Sequence, residues 1–131
     1  MIKISDLSVI AIERLQDAEA LFRINRHVAA AYLSGYSIEL TLKRKICNTL
    51  NWSGFPSTNS EFANYKCLKT HDLNTLLTFT GLEKLIKENY LKEWLPITRW
   101  NPEIRYDTGE IINIADAEAM IASAKNLIKI I

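Results

Sequence analysis

The stretch Ala29–Leu50, AAAYLSGYSIELTLKRKICNTL, decides the fold. It reads as one helix. At about 100° per residue, Ile38, Ala31, Leu42, Gly35, Ile46, Tyr32, Tyr36, Ala29, Leu40 and Leu33 sweep an apolar arc of roughly 220°. Ser34, Ser37, Thr41, Arg44, Lys45 and Asn48 fill the remaining polar sector. A helix so widely apolar is expected to be central and packed on several neighbours. Glu39 and Lys43 fall inside the apolar arc, one turn apart. Burying either bare costs on the order of several kcal/mol, so both need partners. They either pair with each other at i,i+4 or anchor a wider polar site.

Working outward, Ser5 or Asp6 can cap a first helix in which Leu7, Ala11, Leu15, Ala18 and Phe22 recur at helical spacing, ending near Asn25. Arg26 and His27 sit at the joint, His27 as a surface residue, and the short connection predicts antiparallel helices. Asn51–Lys69, with Gly54, Pro56 and a Ser/Thr/Asn cluster, reads as a long loop whose aromatics Trp52, Phe55, Phe62 and Tyr65 tuck it onto the bundle. Helix resumes at about Asp72 and stops at Gly81. A further helix from Leu82 runs to about Trp94, halted before Pro96. Thr98–Ala115 is irregular. The last helix, with an Asp116 cap, carries Ala119, Met120, Ala122, Ser123, Leu127 and Ile130. The pattern predicts a single all-α domain, residues 1–131, built as an antiparallel bundle of four to five helices.

The composition is that of an ordinary globular protein: 131 residues, 48% apolar and 24% charged, with a formal net charge of +1. No global basic field of the kind that dominates nucleic-acid binding is present, which leaves room only for a local patch. No apolar run approaches the roughly 20 residues of a membrane span. The first residues lack a signal-peptide pattern. Cys47 and Cys67 read as free thiols, and a cytoplasmic location is expected.

Few residues carry chemistry. With two histidines and no paired cysteines, neither a zinc site nor any other metal or cofactor site is expected. No phosphate-binding glycine loop or nucleophile motif occurs. His71 precedes Asp72 at a helix start, where such side chains serve as caps. Arg105, in the aromatic loop Trp100–Tyr106, offers a planar fork of donors suited to a carboxylate or phosphate. The angular position of Glu39 aims it at the helix that His71 begins, so Glu39, His71 and Arg105 are expected to converge. Arg105 would then pair with Glu39, and Tyr106 would pack beside them. That cluster either docks the loop or holds a phosphate.

Three motifs in order, Tyr32-x-x-Gly35-Tyr36-x-x-Glu39-x-x-Leu42-Lys43, His71-Asp72-Leu73 and Trp100-x-Pro102-Glu103-x-Arg105-Tyr106, resemble the HEPN domain family over about Asp6–Ile131. The resemblance implies an antiparallel helical bundle that forms a homodimer. It carries over Glu39, Lys43, His71, Asp72, Arg105 and Tyr106 as recurring polar positions. Many members are ribonucleases, often toxins paired with a nucleotidyltransferase-like antitoxin, or parts of defence systems. Those use an arginine and a histidine four to six residues apart. Here Arg23 and His27 are too close and lie on the wrong helix, and no histidine follows Arg99 or Arg105. The leading expectation is therefore a dimeric binding module for a nucleotide, RNA or partner protein. The alternative is an unconventional ribonuclease using His71 as acid–base and Arg105 to stabilise charge on the phosphate.

Overall fold

Two asparagines divide the first half of the chain. In the computed structural model, which describes residues 1–131, Asn25 (φ 65°) and Asn51 (φ 55°) adopt left-handed backbone, which Asn tolerates better than most residues. The first ends helix α1, Ile4–Arg23; the second ends α2, His27–Leu50. At each stop two amides fold back on the last turn: Asn25 N to Phe22 O and Arg26 N to Leu21 O, then Asn51 N to Asn48 O and Trp52 N to Cys47 O. This Schellman arrangement satisfies carbonyls that a helix end otherwise leaves orphaned. With only Ile24–Arg26 between them, α1 and α2 pack antiparallel.

Helix α1 buries Leu7, Ala11, Leu15 and Ala18 of the stripe its periodicity predicts, and Phe22, the fifth position, is half-buried. Helix α2 is more deeply enclosed than its sequence suggests. Ser34, Ser37 and Thr41, expected in a polar sector, are buried. Their hydroxyls donate to carbonyls: Ser34 to Ala31 at 2.8 Å, Thr41 to Ser37 at 2.9 Å, and Ser37 across to Ala11 of α1 at 2.7 Å. A small hydroxyl so satisfied can be buried without the penalty of an orphaned polar group. Of that sector only Asn48 is exposed, with Arg44 and Lys45 half-buried.

Four further helices wrap this pair: α3 (Leu73–Thr78), α4 (Glu83–Asn89), α5 (Leu91–Ile97) and α6 (Ile114–Ile130). Helix α6 lies on α1, α2 and α5, and α3 lies on α2. The fold is an all-α bundle with six helices instead of four or five. The extra one arises because the chain breaks at Tyr90 (φ −131°), separating α4 from α5. Pro96 does not halt α5; it lies in the final turn, where the only amide it forfeits is the one toward Lys92. Helix α6 starts before Asp116. Asn113 is its cap, accepting from Asp116 N at 2.7 Å, while the Asp116 carboxylate accepts from Asn113 N at 3.1 Å, a capping box. Its buried face is Ala117, Met120, Ile121, Ser123, Ala124 and Leu127, with Ala119 and Ala122 outside.

The loop after α2 is pinned at several points. Strand β1 (Ile2–Lys3) pairs antiparallel with β2 (Gly54–Phe55), Ile2 opposite Phe55, so the only sheet joins the start of the chain to this loop. Phe55 and Phe62 are buried edge to face, 6.0 Å between centroids. Trp52 is half-buried and Tyr65 exposed. No helix is long and apolar enough to cross a membrane.

Candidate functional site

The polar positions singled out from the sequence fall into two separate groups. The first is built around Glu39, whose place on the inner face of α2 leaves it 1% exposed. Lys43 Nζ, one turn on, lies 2.5 Å from Oε1. His71 Nδ1 reaches both oxygens, at 3.0 and 3.1 Å, from the residue before the α3 cap. Lys43 also sits 5.2 Å above the Phe55 ring centroid, a cation–π contact that ties β2 to the pair. Asp72 caps α3, accepting from Thr75 N at 2.7 Å. Burial, and then the Glu39 charge, raise the pKa of neighbouring Tyr36. Glu39 and His71 thus meet as expected.

Arg105 does not join them. No carboxylate lies within 4.0 Å of its guanidinium, and the Glu39 oxygens are occupied by Lys43 and His71. Lys43 needs only a side-chain reach along its own helix, whereas Arg105 is placed by a distant anchor. That anchor is Trp100, buried against Gly35 with its indole N–H donating to Tyr32 O at 2.9 Å. The 3-10 turn that follows, Pro102–Tyr106, is capped by Asn101, which accepts from Glu103 N at 2.9 Å, and plugged into the core by Ile104. Its free side carries Arg105 and Tyr106. The guanidinium carbon lies 4.9 Å from the Tyr106 ring centroid, and Tyr106 is 69% exposed. The Tyr106 and Tyr32 phenols beside it raise the Arg105 pKa further. His71 and Arg105 therefore have no partner in common.

What Arg105 meets is the start of α2. A surface cleft of about 400 Å³ opens between the turn and the α1–α2 joint, lined by Arg26, His27, Tyr32, Arg105, Asp107 and their neighbours. Gly109 (φ 98°) lies against the His27 imidazole, which brings the loop over the joint. Neither Arg26 nor Arg105 forms an ion pair. Asp107 is turned to the loop: its oxygens accept from Ile112 N at 2.9 Å and Ile111 N at 3.2 Å, and these amides, Ile112 first, lower its pKa. Arg26, His27 and Tyr32 were not legible as site residues, because nothing local says where the distant loop will land. A second cleft of the same size, at the far end of α2, is lined by Met1, Trp52, Glu61 and Tyr65. Its Glu61 is saturated by the Met1 ammonium and the Ser57 and Thr58 amides, which lower its pKa to about 2. Of these two clefts, only the one at Arg105 presents guanidiniums without a carboxylate partner. No cluster of three or more metal-ligating side chains forms.

No family model matches the chain, and no curated protein or solved structure is significantly similar to it.

Proposed function

We propose that this chain is a HEPN-like helical module that binds RNA or a nucleotide as a homodimer, through the surface that Arg105 and Tyr106 present. One observation carries this reading: the Arg105 guanidinium has no carboxylate partner and lies on the exposed face of Tyr106. A free planar fork suits phosphate oxygens. An exposed aromatic ring beside it suits a nucleobase. Glu39, Lys43, His71 and Asp72 act in this reading as the internal polar lock that holds α3 and the long loop to α2. Val9 and Ile12 on α1, and Ile24 just beyond it, stand exposed and supply apolar surface for self-association.

Binding is tested by fluorescence anisotropy with a short single-stranded RNA at about 50 mM salt, where phosphate contacts are strong. Tyr106→Ala is expected to weaken binding by about 1–3 kcal/mol, the range for loss of one base–aromatic stack. Arg105→Ala should weaken it as well and flatten its salt dependence. Wild-type affinity in both variants would remove the proposed surface. Light scattering at micromolar protein is expected to give the mass of two chains, and a single-chain mass would rule out the homodimer.

A further inference from the structure

We infer that the cleft between the start of α2 and the Pro102–Tyr106 turn is a receptor for a terminal phosphate, the phosphomonoester end of an RNA strand or of a nucleotide, in preference to an internal phosphodiester. This rests on the binding reading above and assigns the chemistry of the ligand at the same surface.

The cationic groups come from two separate elements. Arg26 belongs to the joint between α1 and α2, and Arg105 to the 3-10 turn. His27 shares the cleft lining, half-buried beneath Gly109. Neither guanidinium has a carboxylate partner, and Arg105 meets only the neutral Tyr106 and Tyr32 phenols, so both keep their charge for an anion. The one acid in the lining, Asp107, offsets one positive charge, but its oxygens are engaged by the Ile111 and Ile112 amides. The cleft therefore offers two forks and an imidazole with a net positive charge. An internal phosphodiester has two free oxygens and a single negative charge. A monoester has three, with a charge of about −1.5 to −2 near neutral pH. The monoester is the better match to donors arriving from two sides, since guanidinium–phosphate recognition gains most when both forks find oxygens. Size agrees. At about 400 Å³ the cleft stands near the small end of ligand sites, room for about one nucleotide-sized group. Tyr32 lines the same cleft and offers a phenol or ring edge to the attached sugar and base.

The test compares one short RNA sequence with hydroxyl ends, with a 5′-phosphate and with a 3′-phosphate, alongside the nucleoside monophosphate and inorganic phosphate. A phosphorylated end is expected to bind about tenfold more tightly than the hydroxyl-ended strand. Arg26→Ala should collapse that preference to under about twofold. Arg26 is exposed and lies outside the helices, and circular dichroism will confirm that the variant is folded; Arg26→Gln provides a second variant. The preferred end, 5′ or 3′, then identifies the strand polarity. A nucleoside monophosphate that binds as tightly as the phosphorylated strand identifies a free nucleotide as the source. Equal affinity for phosphorylated and hydroxyl-ended RNA would overturn this inference and leave RNA binding intact. Failure of all five probes to bind would overturn both. Inorganic phosphate should shift the Gly109 and Val28 amide resonances; shifts confined to residues outside the cleft would place the anion elsewhere and sink the assignment.

Discussion

Replacing Lys43 with methionine is expected to cost the fold about 3–5 kcal/mol, the penalty for stripping one member from a buried ion pair. Glu39 is 1% exposed, so its carboxylate has no water to fall back on. Its remaining partner would be His71, an imidazole whose side chain is 64% exposed and whose contact is correspondingly weak. The same substitution removes the ammonium from above the Phe55 ring, so the β1–β2 ladder should loosen along with the core. Urea denaturation of Lys43→Met, Glu39→Gln and the double variant forms a cycle that isolates the coupling. Removing both charges together should recover much of the loss, because a buried pair exchanged for neutral groups is often close to neutral in stability. His71→Ala should cost less, about 1–2 kcal/mol, since the imidazole is mostly exposed and Lys43 stays against the carboxylate. A Lys43→Met protein within about 1 kcal/mol of the parent would mean that Glu39 does not depend on Lys43 for its burial, and the polar lock would fall.

The same residues explain what a reader of the sequence can and cannot see. Glu39 was legible because its angle on α2, among Ala31, Gly35 and Leu42, fixes its direction whatever packs there. His71 was legible because it begins the element bound for that face. The expected Arg105–Glu39 pair failed on reach: Lys43 fills the carboxylate from within the same helix, and a distant arginine has nothing left to neutralise. Helix α6 shows a different limit. Ala115, Ala117, Ala119, Ala122 and Ala124 are all apolar, so spacing alone does not choose which face is buried; Ala117 and Ala124 went in, while Ala119 and Ala122 stayed out. Ser34, Ser37 and Thr41 misled in the opposite sense, since residue type marks them polar and only a carbonyl within reach makes them core. The cleft was the least legible of all. Its position depends on where one tryptophan seats a loop, and no local pattern encodes that.

That seat makes the second large effect. Gly35→Ala is expected to destabilise the protein by about 2–4 kcal/mol, although alanine is by far the better helix former. A Cβ at position 35 would come within 3.0 Å of the Trp100 indole, closer than real Cβ atoms approach. Trp100 is buried, and its N–H is committed to Tyr32 O, so the ring has to leave its site rather than flex. Losing such a ring costs about 3–5 kcal/mol, by analogy with Trp→Ala in cores. The helix propensity gained from glycine to alanine returns only about 1 kcal/mol. Packing therefore wins over propensity. Trp100→Ala should cost about as much as the ring is worth, 3–5 kcal/mol on the same scale. The double variant should be clearly less than additive, because the new methyl then has space. A functional consequence follows from the geometry. Trp100 leads directly into the turn that carries Arg105 and Tyr106, so Gly35→Ala should also weaken RNA binding at temperatures where the protein is still folded. Thermal melts and anisotropy on the same samples read both effects. A Gly35→Ala protein as stable as the parent would show that Trp100 is not seated on Gly35, and the cleft, whose one wall depends on that contact, would lose its foundation.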